Sequence, residues 1–256
     1  MKTVRGRANR IPTEQLTPEI DAQLEQLSNL PKSIKNILVN EHDAVVNQSK
    51  LTNLPARITV YDIVEKYVDF TKSKYGDNAI EIEHDGGITY LANNEVLVRT
   101  ARALRDYFDI LLPYQLLYKF ERPQFNTLAK KEQEKFDSEQ TKFQESTPRR
   151  LRKSSREVKT SFAASVYAQI LDGGPLRPDI VRPSKFYGLA HLLRMFVKLP
   201  ALLRTIPCAR DDLIDRIACI HDFIAFVRQN APFILDLSTD YKEAGAEYIR
   251  SVGVSS

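Results

Sequence analysis

The chain has 256 residues, 43% hydrophobic and 27% charged, with a formal charge of +4. That length can bury the core of one large domain or two small ones, and the composition is globular. No apolar run nears the roughly 18 residues a membrane span needs, and the basic opening MKTVRGRANR has no apolar stretch behind it, so neither a span nor a secretory signal is expected.

Two cysteines, Cys208 and Cys219, suit neither a disulfide scaffold nor a four-cysteine zinc site, which points to a soluble intracellular protein. The nine glycines form no GxGxxG or GxxxxGK[ST] phosphate cradle. His42, His84, His191 and His221 form no HExxH and flank no GxSxG elbow.

Helical periodicity runs through most of the chain. After a loose basic arm at 1–12, Leu16, Ile20, Leu24 and Leu27 make the stripe of an amphipathic helix over 13–28. A second helix is expected over 31–47, with Pro31 at its first position, until Leu54-Pro55 breaks the chain. A third covers 59–75, stopped by Gly76. Residues 78–92 are β-like: IEIE and ITYL flank HDGG, a hairpin signal. Asn93 or Asn94 can cap the next helix, which carries Leu97, Ala101, Leu104, Phe108 and Leu111. The stretch YQLLYKFERPQF reads either as a core helix end with a Glu121–Arg122 charge pair or as an aromatic groove for a partner's side chains.

Residues 127–160 hold ten Lys/Arg and six Asp/Glu, which leaves 27 of each sign elsewhere. The excess charge therefore lies in one segment, inside a charged, partly disordered insertion at 127–183. Its basic run, Arg149, Arg150, Arg152, Lys153, Arg156 and Lys159, suits a solvated insertion, a nuclear import signal or a phosphate-backbone contact. FYGLAHLLRMFVKLPALLRTI follows, apolar on several sides and so suited to the centre of a bundle, with Pro200 expected to kink or divide it. Leu213, Ile217, Ile220, Ile224 and Val227 mark a helix over 211–229, and 240–251 reads as a short helix. The fold class is mainly α with a small β-hairpin.

No catalytic constellation emerges. Cys219-x-His221 is too close for usual zinc spacing, and His221 and Asp222, as helix neighbours, do not face each other.

Two segments carry a family resemblance. YKFERPQ at 118–124 (Tyr118, Phe120, Glu121, Arg122, Pro123) and YGLAHLLRMFV at 187–197 (Tyr187, His191, Leu192, Leu193, Arg194, Phe196) resemble the hallmarks of the MRG domain family of chromatin adaptors. LPKSIKNILVNEHDAVVNQSKLTNLPAR, HDFIAFVRQNA and DYKEAGAEYIR are similar to its opening helix, closing helix and tail, so an MRG-like domain is expected over 13–252. The resemblance implies a non-enzymatic nuclear adaptor in histone acetyltransferase and deacetylase assemblies, acting in transcription regulation and chromatin remodelling. It implies no cofactor, metal, membrane or small-molecule substrate. Partners would be complex subunits bound through short hydrophobic segments, often Phe-x-Leu-Pro. The groove carried over is Leu30, Val39, His42, Tyr118 and Lys198.

Departures from the pattern are specific. The family usually has tryptophan where this chain has Ile37 and His42, so a degenerate groove is one alternative. Lys198 stands where one branch has arginine. About thirty residues precede the resembling segment that opens at Leu30, so the N-terminal chromodomain many relatives carry is not expected here. The other alternative is a chromatin protein that binds nucleic acid through basic segments 1–10 and 149–159.

Overall fold

The computed structural model describes residues 18–76, 79–83, 89–146, 181–204 and 210–253. Helix α1, Pro18–Ser28, buries Ile20, Leu24 and Leu27 at the spacing expected. Helix α2, Lys32–His42, has Pro31 as its N-cap residue, one position outside the first turn. It opens into a π turn at Asp43–Asn47, so the helix expected over 31–47 changes pitch before it ends. The strand β1, Lys50–Thr52, follows.

Helix α3, Val60–Tyr75, starts on a capping box. The Thr59 hydroxyl accepts from the Asp62 amide, and the Asp62 carboxylate accepts from the Thr59 amide at 2.9 Å. These reciprocal bonds satisfy two N-terminal donors. Gly76 ends the helix at φ +59°, a conformation that favours glycine. Strands β2, Ala79–Glu83, and β3, Thr89–Asn93, pair antiparallel as the expected hairpin. Asn93 then caps α4, Asn94–Leu111, by accepting from the Val96 amide at 2.8 Å. All five residues of the α4 stripe are buried.

A π turn at Leu112–Leu116 leads to the YKFERPQ loop and to α5, Arg122–Ser146. Residues 127–146, the start of the expected insertion, thus continue a helix that buries Phe125 and packs Leu128 and Ala129 on the core. Residues 147–180 of that insertion, including the basic run 149–159, lie outside the described residues, as does the arm at 1–12, whereas Val181 at its end is buried in the core.

Helix α6, Leu189–Leu203, is the central element. Every residue from Leu189 to Phe196 is buried, which no single amphipathic stripe would achieve. It packs against α1, α2, α3 and α4. Pro200 does not divide it. The proline sits in the last turn, so only the Phe196 carbonyl loses its intrahelical donor. Gly188 precedes the helix where the 54–58 loop crosses. A Cβ there would meet the Ile58 carbonyl oxygen at 3.0 Å and the Ala56 Cβ at 3.1 Å. The contact is held by the Ala56 amide on the Phe186 carbonyl and the Val60 amide on the Tyr187 carbonyl, at 2.7 and 2.8 Å.

Helix α7, Arg210–Ile234, buries Leu213, Ile217, Ile220, Ile224 and Val227, and runs five residues past the expected end. The short helix expected over 240–251 is instead three elements. A helical turn α8, Leu237–Asp240, precedes strand β4, Tyr241–Glu243, and helix α9, Ala246–Val252. Strand β4 pairs antiparallel with β1, Leu51 opposite Lys242. No helix among the described residues is long and apolar enough to cross a membrane.

Burial ranks the expected costs of substitution. Phe108→Ala, at a fully buried α4 position, should cost about 3–5 kcal/mol. Val39→Asp, at a position 66% exposed, should change stability by no more than about 0.5 kcal/mol. Urea denaturation curves check both values.

Candidate functional site

The two sequence hallmarks meet in space. Glu121 from the YKFERPQ loop and Arg194 from α6 form a buried ion pair, with Arg194 Nη1 donating to Glu121 Oε2 at 2.6 Å. Arg194 Nη2 also reaches Glu121 Oε1, at 3.2 Å. Its Nε donates to Glu41 Oε2 at 3.3 Å, Nη2 donates to Glu41 Oε1, and Nη1 donates to the Leu116 carbonyl at 2.7 Å. His191, one turn earlier on α6, lies with Nε2 2.9 Å from Glu121 Oε1. Tyr241 on β4 donates its hydroxyl to Glu41 Oε1 at 3.0 Å. One guanidinium thus joins α2, the π turn after α4, the hallmark loop and α6, and the Tyr241 hydroxyl extends the network to β4.

The charge pair expected between Glu121 and Arg122 does not form. Glu121 turns inward and is fully buried, whereas Arg122 is exposed. Burial alone pushes the Glu121 carboxyl up. The charges and hydrogen bonds of His191 and Arg194 more than offset this and hold it at about 2. For Arg194, burial disfavours the cation, but Glu121 and Glu41 raise its pKa above the ordinary value.

Glu41 and Tyr241 were missed by sequence reasoning. For Glu41 the signal was present. It lies seven residues after buried Ile34, so it falls on the inward stripe of α2. A carboxylate on that stripe needs a buried cation. Nothing local marks Tyr241.

Tyr118 and His42, two of the residues expected to line a groove, lie beside the network. The Arg194 guanidinium sits 3.8 Å from the centroid of the half-buried Tyr118 ring. Tyr118 is also held from below, its amide donating to Glu121 Oε2 at 2.8 Å. His42 meets Tyr118 edge-to-face at 5.3 Å. Val39 is one turn from His42 on the outward face of α2, and Lys198 is exposed one turn beyond Arg194 on α6. Leu30 is placed differently. It is only 3% exposed and belongs to the core, so it supports this surface rather than lining it.

The remaining hallmark residues are structural. Phe120 packs edge-to-face on Tyr248 of α9 at 5.3 Å, and the Tyr248 hydroxyl donates to the Phe120 carbonyl. Pro123 is partly buried at the start of α5. Tyr187 packs against His191 at 4.7 Å, and Leu192, Leu193 and Phe196 are core residues.

Among the described residues no group of three or more His, Cys, Asp or Glu side chains could hold a metal ion. Burial pushes the Cys219 thiol up to about 11, the opposite of an activated nucleophile. Asp222 accepts a 2.7 Å hydrogen bond from the Tyr67 hydroxyl.

Comparison with known proteins agrees with the two hallmarks. The family model described as MRG matches residues 5–243, so the chain belongs to the MRG family. It is 33% identical over 231 residues to "Mortality factor related protein 1" of Caenorhabditis elegans, covering 86% of this chain and 58% of that protein. It is 30% identical over 244 residues to "Mortality factor 4-like protein 2" of Homo sapiens, covering 95% of this chain and 64% of that protein. "Mortality factor 4-like protein 1" of Pongo abelii is 28% identical over 244 residues, with 57% of its length covered. The chain therefore spans about three-fifths of the length of the curated relatives it matches.

The lowered Glu121 value fixes a pH dependence. The unfolded carboxyl titrates near 4.5 and the folded one near 2. Its stabilisation is complete above the first value and is lost as pH falls towards the second. Stability should therefore drop across that window. Glu121→Gln should cost about 3 kcal/mol at neutral pH, by leaving Arg194 short of an anion, and should flatten the acid-side drop. Denaturant midpoints of both proteins across the window test this.

Proposed function

We propose that this chain is a non-enzymatic nuclear adaptor of chromatin-modifying assemblies. Its α2/α6 face binds a short hydrophobic segment from a subunit of a histone acetyltransferase or deacetylase complex, and through this it contributes to transcription regulation. Membership of the MRG family supports the chromatin setting.

One observation carries the docking role. Five large apolar side chains are exposed among the described residues, and three of them, Val39, Val46 and Val197, belong to α2, its π turn and α6. Val39 lies on the outward face of α2, and Val46 is exposed on the π turn that continues it. Val197 follows Arg194 by three residues, which places it beside the contact that Arg194 makes with Glu41 on α2. Tyr118 lies over the same contact. Apolar surface over a rigid, fully paired base suits a peptide that arrives with its own apolar side chains.

The test is fluorescence anisotropy with a labelled Phe-x-Leu-Pro peptide. Saturable micromolar binding is expected. Val39→Asp and Tyr118→Ala should each weaken it at least about tenfold, or about 1.4 kcal/mol. An unchanged urea midpoint for Val39→Asp separates lost contact from lost fold. Binding that both substitutions leave intact would contradict the assignment of this face.

A further inference from the structure

The charges around the docking face are nearly all of one sign. At about 100° per residue, Lys32, Lys35, Val39 and His42 fall within about 40° of one line along α2, and Val46 is exposed on the π turn that follows. Both lysines are exposed. Lys198 is exposed next to Val197 on α6, and Lys119 is exposed next to Tyr118. Among the described residues none of these four lysines is in an ion pair. Lys35 donates to the neutral Asn29 side chain at 2.8 Å.

The carboxylates nearby do not balance this charge. Glu41 and Glu121 are buried on Arg194. The acid next to His42 is Asp43, which accepts from the Asn47 and Gln48 side-chain amides at 2.7 and 2.6 Å and stays anionic, so a single negative charge stands against four lysines. The face is therefore an apolar strip edged by unpaired cations. A second copy of the same face would set lysine against lysine. A bare polyanion would leave the three valines without partners.

From this charge pattern we infer the occupant's chemistry: a short acidic–apolar peptide segment. Its apolar side chains meet Val39, Val46 and Val197, and its carboxylates meet Lys32, Lys35 and Lys198. The inference rests on the docking role proposed above and adds the flanking chemistry that selects the partner. Charge of this kind governs partner selection and association rate more than it adds contact area.

The experiment uses the full chain and three labelled peptides that share one Phe-x-Leu-Pro core, flanked by glutamates, glutamines or lysines. The glutamate peptide should bind about tenfold tighter than the glutamine peptide, with the lysine peptide weakest. The advantage should largely vanish at about 0.5 M salt, where exposed charges are screened. The double substitution Lys35→Glu/Lys198→Glu should reverse the ranking. Equal affinities for the three peptides would overturn the charge inference and leave the docking role standing. If Val39→Asp weakens none of the peptides, the docking role fails and this inference fails with it. If a short DNA duplex displaces the glutamate peptide as well as unlabelled peptide does, the face is a general polyanion surface, and the inference is overturned.

Discussion

A guanidinium held out of water between two carboxylates fixes how the described elements meet. Arg194 is 8% exposed, and both of its carboxylate partners are fully buried. Removing such charges from water costs several kcal/mol per ion, and the cost is offset only when geometry and hydrogen bonding are close to complete. Here Nε, Nη1 and Nη2 all donate, to Glu41, Glu121 and the Leu116 carbonyl. A packing in which α2, the hallmark loop and α6 met differently would strand at least one of these charges. The network therefore acts against alternative packings of a bundle whose leucines and isoleucines could interdigitate in other ways.

The same arginine links packing to surface chemistry. Its edge is consumed by the two glutamates, and its flat face lies against Tyr118. Tyr118 has its amide bound to Glu121 and its ring against His42. A side chain at the surface is thus held by groups in the core, which would limit the rotamer entropy lost in the proposed docking. The valines around it need no such support, because helical spacing alone turns them outward. Histidine at position 42, where tryptophan is usual in the resemblance noted above, leaves a smaller and more polar neighbour for Tyr118. Under the proposed docking role, the lysines on α2 and α6 would give the face a further basis for choosing a partner.

What was legible in the sequence follows from the range of the physics involved. The stripes of α1, α4 and α7, a cap at Asn93 or Asn94, the Gly76 stop and the β2–β3 hairpin depend on neighbours a few residues apart. All were expected. So was the central place of α6, because its sequence is apolar on several sides, and the eight consecutive buried residues from Leu189 to Phe196 agree. The β1–β4 pair was invisible: two three-residue strands nearly two hundred positions apart leave no local periodicity. The hallmark residues were found by resemblance, but their pairing was not. Glu121 was set against its neighbour Arg122, whereas its partner is Arg194, 73 positions away. Of the residues expected to line a groove, Val39 and His42 lie on α2, Tyr118 stacks on Arg194, and Lys198 is exposed on α6. Leu30 continues the apolar stripe of α1 into the core, a distinction that only packing makes.

The central claim is that the α2/α6 face over Arg194 is the working surface. Its most direct test is a methyl and aromatic NMR titration of the full chain with a Phe-x-Leu-Pro peptide. The account predicts shifts concentrated at the Val39, Val46 and Val197 methyls and the Tyr118 ring, while core methyls such as Leu192 and Ile63 hold still. Shifts gathered elsewhere, for example around the exposed Phe233 near the end of α7, with those four residues unmoved, would contradict it.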